Sequence, residues 1–402
     1  MSALTLIPCV SERENNIAYQ FRLTGQRVFS LEEALFYVFH NWRQCVDDFC
    51  GEEFEAWVRD ALGLPYHASR IKRLAGAGSF SERLIGFLQI LDYFGSGELS
   101  ALNGELGDWE KRLEWEKLKE RGDYAMSAGE PAMAAALYRR ALFCRRDPRL
   151  LNNIGVAMME LELFPEALAY LEEAVKQLLD GDVEAEAGAA PGGTRVRMLV
   201  NYAEAAVYAH SFGAAESCLK DLSGIAERHV IEYLYGELEF EAGKPATAAE
   251  RFETAIALKP ERRYIYRLAE VCAKLRSYGR AEDALFMIPE QDAGFYMKLA
   301  EINAAEDDPA AAAKATERAI EAGPPGAELW TRLAAYRRLD RDAEGAQSAI
   351  EKALAADPEN DRARLEQARI RKAAGRTKEY QQILRGMLRE FKEKYRETYG
   401  EM

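Results

Sequence analysis

Residues 328–358 read ELWTRLAAYRRLDRDAEGAQSAIEKALAADP. Ala334 stands 12 residues before Ala346, and Ala346 stands seven before Ala353. The same rhythm recurs outward along the chain. Gly122, Gly155, Ala203, Gly236, Ala269, Ala300 and Ala368 take the place of Ala334. Ala134, Ala167, Ala215, Ala248, Ala281, Ala312 and, less faithfully, Tyr380 take that of Ala346. Successive members of the first series lie 33, 48, 33, 33, 31, 34 and 34 residues apart. A period near 34 predicts one helix–turn–helix unit stacked many times. Small residues belong where two helices cross closely, because a larger side chain forces the axes apart. The expected fold class is all-α: a solenoid of about seven to eight helix hairpins.

Further landmarks accompany the small residues. One unit carries Trp330, Leu333, Ala334, Ala346, Ile350, Ala353, Leu354 and Pro358, and another carries Gly236, Ala248, Phe252, Ala255 and Pro260. On these residues the chain resembles the tetratricopeptide-repeat (TPR) family, whose pattern runs W-x2-L-G-x2-Y, then Ala, an aromatic, Ala and Pro. The resemblance covers roughly residues 113–390. It implies the fold, and a fold hosts many unrelated functions. The long interval owes its excess to residues 180–194, DGDVEAEAGAAPGGT, expected to form a mobile insertion. In the last unit Tyr380 and Met387 replace the small residues, as in a terminal capping repeat. The expected organisation is a mostly helical N-terminal domain over 1–110, the TPR solenoid over 111–358, and a terminal repeat with a basic capping helix over 359–402.

A hydrophobic content of 48% and a charged content of 30% suit a folded chain. Lysine and arginine number 53 against 67 acids, a net charge of −14 that argues against nonspecific nucleic-acid binding by the whole molecule. No apolar run approaches the ~18 residues of a membrane span. The opening MSALTLIPCVSERE lacks a basic stretch followed by a long apolar core, so no signal peptide is expected and the cytoplasm is the expected compartment. Six cysteines, at 9, 45, 50, 144, 218 and 272, show no CxxC spacing and read as small apolar residues.

Outside the repeat, Tyr19–Leu23 and Arg27–Phe29 flank Thr24-Gly25 and read as a short β-hairpin. Ser30 and Glu33 predict the start of a helix reaching about Phe49, with Leu31, Leu35, Val38, Phe39 and Trp42 on its core face. Further helices are expected over 52–62, from Pro65, and from the Ser79/Glu82 pair to about Phe94. This region also looks faintly like the leading domains of other bacterial TPR proteins of unassigned role. Some peptide-sensing bacterial regulators carry a DNA reader in that place. Here Arg70, Lys72 and Arg73 would meet phosphates, but Glu52, Glu53, Glu55 and Asp60 crowd them with acid.

The resemblance implies that the first helix of each repeat lines the concave side. Its inward positions are Lys119 and Asp123, Asn152 and Val156, Val200 and Glu204, Tyr233 and Glu237, Tyr266 and Glu270, Met297 and Glu301, then Thr331 and Ala335. Met126, Phe240 and Arg338 follow one turn later in their repeats. Glu204, Glu237, Glu270 and Glu301 would form an acidic ladder, with Tyr233, Phe240, Tyr266 and Met297 between the rungs and Arg267 close by. Such a groove suits a peptide or partner helix with basic and apolar residues. Reversing Glu237 and Glu270 to lysine is then expected to weaken binding with little change in melting temperature. The plainer alternative is that these glutamates solvate a helix face and pair with nearby arginines. Lys119, Asn153, Arg197 and Asn201 partly resemble the carboxylate clamp of certain TPR proteins, although Asp123 stands where that clamp has Asn.

From Arg362 to Arg396 twelve Lys/Arg face four glutamates. There Tyr380, Ile383, Leu384, Met387, Leu388 and Phe391 form an apolar face expected to cover the end of the array. His40, His67, His210 and His229 stand alone, and no P-loop, HExxH or GxSxG is present. The expected function is therefore a non-enzymatic scaffold or adaptor without metal or cofactor, binding a protein or peptide. The alternatives are a regulator whose N-terminal domain binds DNA or a signalling enzyme, and an array that mainly self-associates.

Overall fold

Glycine and alanine at the helix crossings let paired helices approach to contact. In the computed structural model, which describes residues 18–76, 78–180 and 193–399, a Cβ added to Gly122 would lie 2.5 Å from Cε1 of Tyr138. One added to Gly236 would lie 2.6 Å from Cε1 of Phe252, and one on Gly155 would strike Cγ of Leu171. Each partner sits 16 residues on, in the second helix of the same hairpin. The small residue thus makes room for one large side chain in the core.

Among the described residues five α-helices precede the repeat: α1 (Leu31–Asn41), α2 (Glu52–Ala56), α3 (Pro65–Ala75), α4 (Phe80–Leu88) and α5 (Ser96–Lys111). Then come α6 (Glu114–Ser127) with α7 (Pro131–Cys144), α8 (Pro148–Glu160) with α9 (Phe164–Asp180), and α10 (Gly193–Tyr208) with α11 (Phe212–Leu222). The fourth and fifth hairpins are α12 (Arg228–Glu241) with α13 (Pro245–Leu258) and α14 (Arg262–Lys274) with α15 (Tyr278–Leu285). The sixth and seventh are α16 (Ala293–Ala305) with α17 (Pro309–Ala322) and α18 (Ala327–Leu339) with α19 (Ala343–Ala356). The last is α20 (Asp361–Ala373) with α21 (Thr377–Tyr399). Among the described residues the only sheet is β1 (Tyr19–Gln20) paired antiparallel with β2 (Arg27–Val28). The fold is all-α, with the expected short hairpin at its start.

Each hairpin turns through one left-handed residue seven places after its small residue. These are Gly129, Glu162, His210, Gly243, Arg276, Asp307, Arg341 and Gly375, with φ between 54° and 76°. The next amide then reaches back to close the helix end, as from Glu130 N–H to the Ala125 carbonyl at 2.9 Å and from Ser277 N–H to that of Cys272 at 2.9 Å. This is a Schellman-type stop, which favours glycine at the left-handed position. Five of the eight positions hold it with a side chain present.

The chain divides into two units, Met1–Ala209 and His210–Met402. The first holds the N-terminal helices, two whole hairpins and α10; the second holds α11 and five whole hairpins. The expected insertion at 180–194 falls largely on residues 181–192, and the reading of residues 1–14 on the chain's start; both lie outside the described residues.

In the N-terminal region, aromatic and aliphatic side chains between Tyr19 and Trp109 gather into one core. Phe54 meets Tyr19 edge-on at 4.8 Å and Phe87 at 5.6 Å. The first helix stops at Asn41, short of the expected Phe49. Residues 42–50 turn instead, which brings Asp48 beneath the β-hairpin. There its carboxylate accepts from the Tyr19 hydroxyl at 2.8 Å and the Arg22 amide at 3.3 Å. After α2 the chain widens into one π-helical turn, Trp57–Ala61, before Gly63 reverses it at φ 66°. Ser79 and Glu82 form the reciprocal cap expected of them. The helix they open ends at Leu88 rather than near Phe94, and α5, which the sequence reading left out, supplies Leu99, Leu102, Leu106 and Trp109 to the core.

Candidate functional site

In the first unit, three successive first helices (α6, α8 and α10) border a pocket of about 430 Å³. Lys119, Asp123 and Met126 come from α6, Asn152, Asn153 and Val156 from α8, and Arg197, Met198 and Asn201 from α10. Lys119, Asp123, Asn152 and Val156 are inward positions by the sequence reading, and the fold brings them to one wall. The spacing explains this: residues four apart on a helix share a face, and each hairpin repeats that face.

Polar groups in the pocket are held in a network. Asp123 accepts from the Lys119 ammonium at 2.8 Å and from the Tyr138 hydroxyl at 2.8 Å. The Asn201 amide donates to Asn152 Oδ1 at 2.9 Å, and that of Asn152 donates to Asn153 Oδ1 at 3.3 Å. Arg149 is aimed by Asp147, which accepts from its guanidinium at 3.0 and 2.7 Å. Burial pushes the Asp147 carboxyl up, but the Arg149 side chain and backbone amide outweigh it and hold the group below the usual carboxylate range. Of the four residues resembling a carboxylate clamp, Lys119, Asn153, Arg197 and Asn201, all line this pocket. Asp123 takes up part of the charge of Lys119, which the full clamp would leave to a ligand.

The second unit treats the same positions differently. Glu237 has 0% of its surface exposed and is gripped by Arg267 from the next first helix, Nε to Oε1 at 2.6 Å and Nη2 to Oε2 at 2.5 Å. Arg267 also reaches Glu270 at 2.8 Å. Glu301 is held by Lys298 at 2.8 Å and by Arg332, again from the next first helix, at 2.9 Å. Burial raises the Glu301 pKa, and the hydrogen bonds from Lys298 and Arg332 more than reverse that, leaving it lowered. Arg338 and Glu366 also join two first helices, at 2.5 Å, with the arginine now on the earlier one. Glu237 and Glu301 join successive hairpins through arginine, the pairing half of the plainer alternative, although Glu237 is buried rather than solvated. Reversing Glu237 to lysine would set a second cation against Arg267, so the expectation that stability stays unchanged does not hold.

The aromatic positions are also occupied. Tyr233 is buried and stacks on Tyr264 at 4.6 Å, with the Arg263 guanidinium 4.9 Å from its ring centre. Phe240 is buried, with Arg267 at 4.8 Å and Lys274 at 4.1 Å from its centroid. Tyr266 and Met297 are half-buried, and the Arg262 guanidinium covers the Tyr266 ring at 5.3 Å. Glu204, in the first unit, is half-buried on α10. The sequence signal for this arrangement was the arginine 30 or 31 residues after its glutamate, Glu237 with Arg267 and Glu301 with Arg332.

Elsewhere, Arg70 of the N-terminal helices donates to the Ile90 carbonyl at 2.9 Å, which ties it to the protein rather than presenting it to a phosphate. Among the described residues no three His, Cys, Asp or Glu side chains gather as a metal site requires, and no helix is long and apolar enough to cross a membrane.

Residues 119–183 and 233–294 match the family model described as tetratricopeptide repeat. No curated protein matches the chain. Among solved structures, yeast Tom70 is similar at 14% identity, covering 89% of this chain and 83% of its own, with a TM-score of 0.49. A TPR protein from Parabacteroides merdae is similar at 18% identity, covering 63% of this chain and 97% of its own, with a TM-score of 0.41. TTC0263 from Thermus thermophilus is similar at 18% identity, covering 55% and 98%, with a TM-score of 0.35. The family match falls on hairpins whose small residues, left-handed turns and buried second-helix partners follow one rhythm, and on that evidence the chain is a tetratricopeptide-repeat protein.

Proposed function

We propose that this protein is a non-catalytic interaction scaffold that captures an extended peptide by a carboxylate on the concave side of its first three repeats. TPR proteins in general mediate protein–protein contacts, and the finer reading rests on one observation. The pocket between α6, α8 and α10 combines Lys119, Arg149 and Arg197 with the amides of Asn152, Asn153 and Asn201 around Met126 and Val156. Cations and amide donors beside an apolar floor suit a carboxylate with a neighbouring apolar side chain. The partner expected from the sequence was basic and apolar. The apolar part is kept, and the charge is reversed because the glutamates that would have attracted a basic peptide are already joined to arginines.

Selection of random peptides displayed with a free C-terminus on the full-length protein tests this. Enriched sequences should be acidic or depend on the terminal carboxylate, and their binding should fall about tenfold or more with Lys119→Glu plus Arg197→Glu. Enrichment of basic peptides unaffected by that pair of changes would defeat the proposal.

A further inference from the structure

The last hairpin differs from the others in the face it offers to whatever would stack on it. At one recurring place in the whole hairpins of the second unit stand Ile256, Pro289, Ile320, Leu354 and Leu388. Ile256 is buried, and Ile320 and Leu354 pack into the core shared with the following hairpins. Leu388 is 54% exposed, and Phe391, one turn on, is 67% exposed. In the interior of the unit such a face is covered by a first helix: α16 packs against α14 and α15, and α20 against α18 and α19. Among the described residues no helix takes the matching seat on α20 and α21. A terminal repeat ordinarily presents a polar outer face. This one keeps its apolar stacking residues.

The charges around that seat are basic, two of them standing where earlier hairpins carry acids. Glu253 and Glu317 occupy a single place in their hairpins and accept from the next hairpin, Glu253 from Arg280 at 2.5 Å and Glu317 from Arg337 at 2.6 Å. The corresponding residue of the last hairpin is Arg385. Likewise Glu237 and Glu301 are gripped by Arg267 and Arg332, whereas the last hairpin has Arg369 there. Arg338 grips Glu366 of the following first helix, and its counterpart on α20 is Lys372. Arg369 is paired with Glu366 of its own helix at 3.2 Å, whereas Arg385 and Lys372 make no ion pair among the described residues.

We propose that this face of α20 and α21 docks an acidic amphipathic helix of a partner protein, seated as a further first helix would be. Leu388 and Phe391 supply the apolar contact; Arg385 meets a carboxylate at the place where Glu253 and Glu317 meet arginine, and Lys372 meets one as Arg338 meets Glu366. Positive charge at Lys372 and Arg385 selects the partner and rejects a helix that sets arginine against Arg385 as Arg337 is set against Glu317. The seat lies at the far end of the second unit and does not depend on the carboxylate pocket of the first.

The test uses the full-length protein and two synthetic amphipathic helices sharing one leucine–alanine face, with glutamate or lysine on the remaining positions. Fluorescence anisotropy should show the glutamate peptide binding and the lysine peptide not. Leu388→Ser with Phe391→Ser should weaken the glutamate peptide about tenfold or more, and Lys372→Glu with Arg385→Glu should reverse the preference between the two peptides. Both pairs replace exposed side chains, and unchanged circular dichroism checks that each variant is folded. Failure of the glutamate peptide to bind, equal binding of both peptides, or indifference to the charge reversal overturns the proposal. So does a wild-type dimer in sedimentation that Leu388→Ser with Phe391→Ser dissolves, because the seat would then belong to a second copy.

Discussion

The first helices of the two units use equivalent positions to opposite ends. In the first unit Lys119, Asp123, Asn152 and Val156 border an open pocket, with hydrogen bonds that orient side chains around it. In the second, Glu237 and Glu301 are consumed in joining one hairpin to the next through Arg267 and Arg332. A repeat position therefore specifies direction, not role. Whether an inward side chain recognises a ligand depends on what the next first helix, one period on, places against it.

The comparison breaks most readily at Glu237. Glu237→Lys should cost about 3–5 kcal/mol in urea unfolding, because it leaves Arg267 beside a second buried cation. Val156→Thr, at the same repeat position in the pocket, should change stability by no more than about 1 kcal/mol. Equal costs at both sites would erase the distinction. Next in size, Gly236→Leu should lose about 1–3 kcal/mol by overpacking against Phe252. Fluorescence-monitored melting of that variant reads the loss.

A smaller effect of opposite sign is expected at the turns. Arg276→Gly or Arg341→Gly relieves a side chain held at positive φ and should raise stability by up to about 1 kcal/mol in the same melts. The smallest effect concerns Glu301, whose side chain is 41% exposed and contributes in the range of a surface pair. Its folded pKa lies below the unfolded one, so its contribution is present above the ordinary carboxylate pKa of about 4.3 and is lost as pH falls through the lower folded value. The stability gap between wild type and Glu301→Gln should accordingly be constant near neutrality and shrink in acid. A gap that widened in acid would mean that the carboxylate is not stabilised by Lys298 and Arg332.

The fold was legible because its signal is periodic. Gly122, Gly155 and Gly236 announce their crossings by spacing alone, and the larger residues 16 places on confirm them. Local caps such as Ser79 with Glu82 were equally readable, since both partners lie within one turn. Elements decided by distant partners were not. The first helix stops at Asn41, and Asp48 beyond it bonds Tyr19 and Arg22, which lie 29 and 26 residues away. The helix α5 was obscured by Gly97, Gly104 and Gly107, although Leu99, Leu102, Leu106 and Trp109 keep helical spacing. At the site, the inward direction of Glu237 was readable and its burial was not. That burial goes with the grip of Arg267 from the next first helix, a three-dimensional consequence of stacking rather than of composition.

The claim on which the functional account depends is that ligand recognition belongs to the first unit's pocket and not to the arginine-joined face of the second. Amide hydrogen exchange of the full-length protein, with and without a peptide obtained by display selection, measures this directly. The account predicts peptide-dependent protection in residues 119–126, 149–159 and 194–201. Protection concentrated in 233–240, 264–270 and 297–301, with the first unit unchanged, would contradict it.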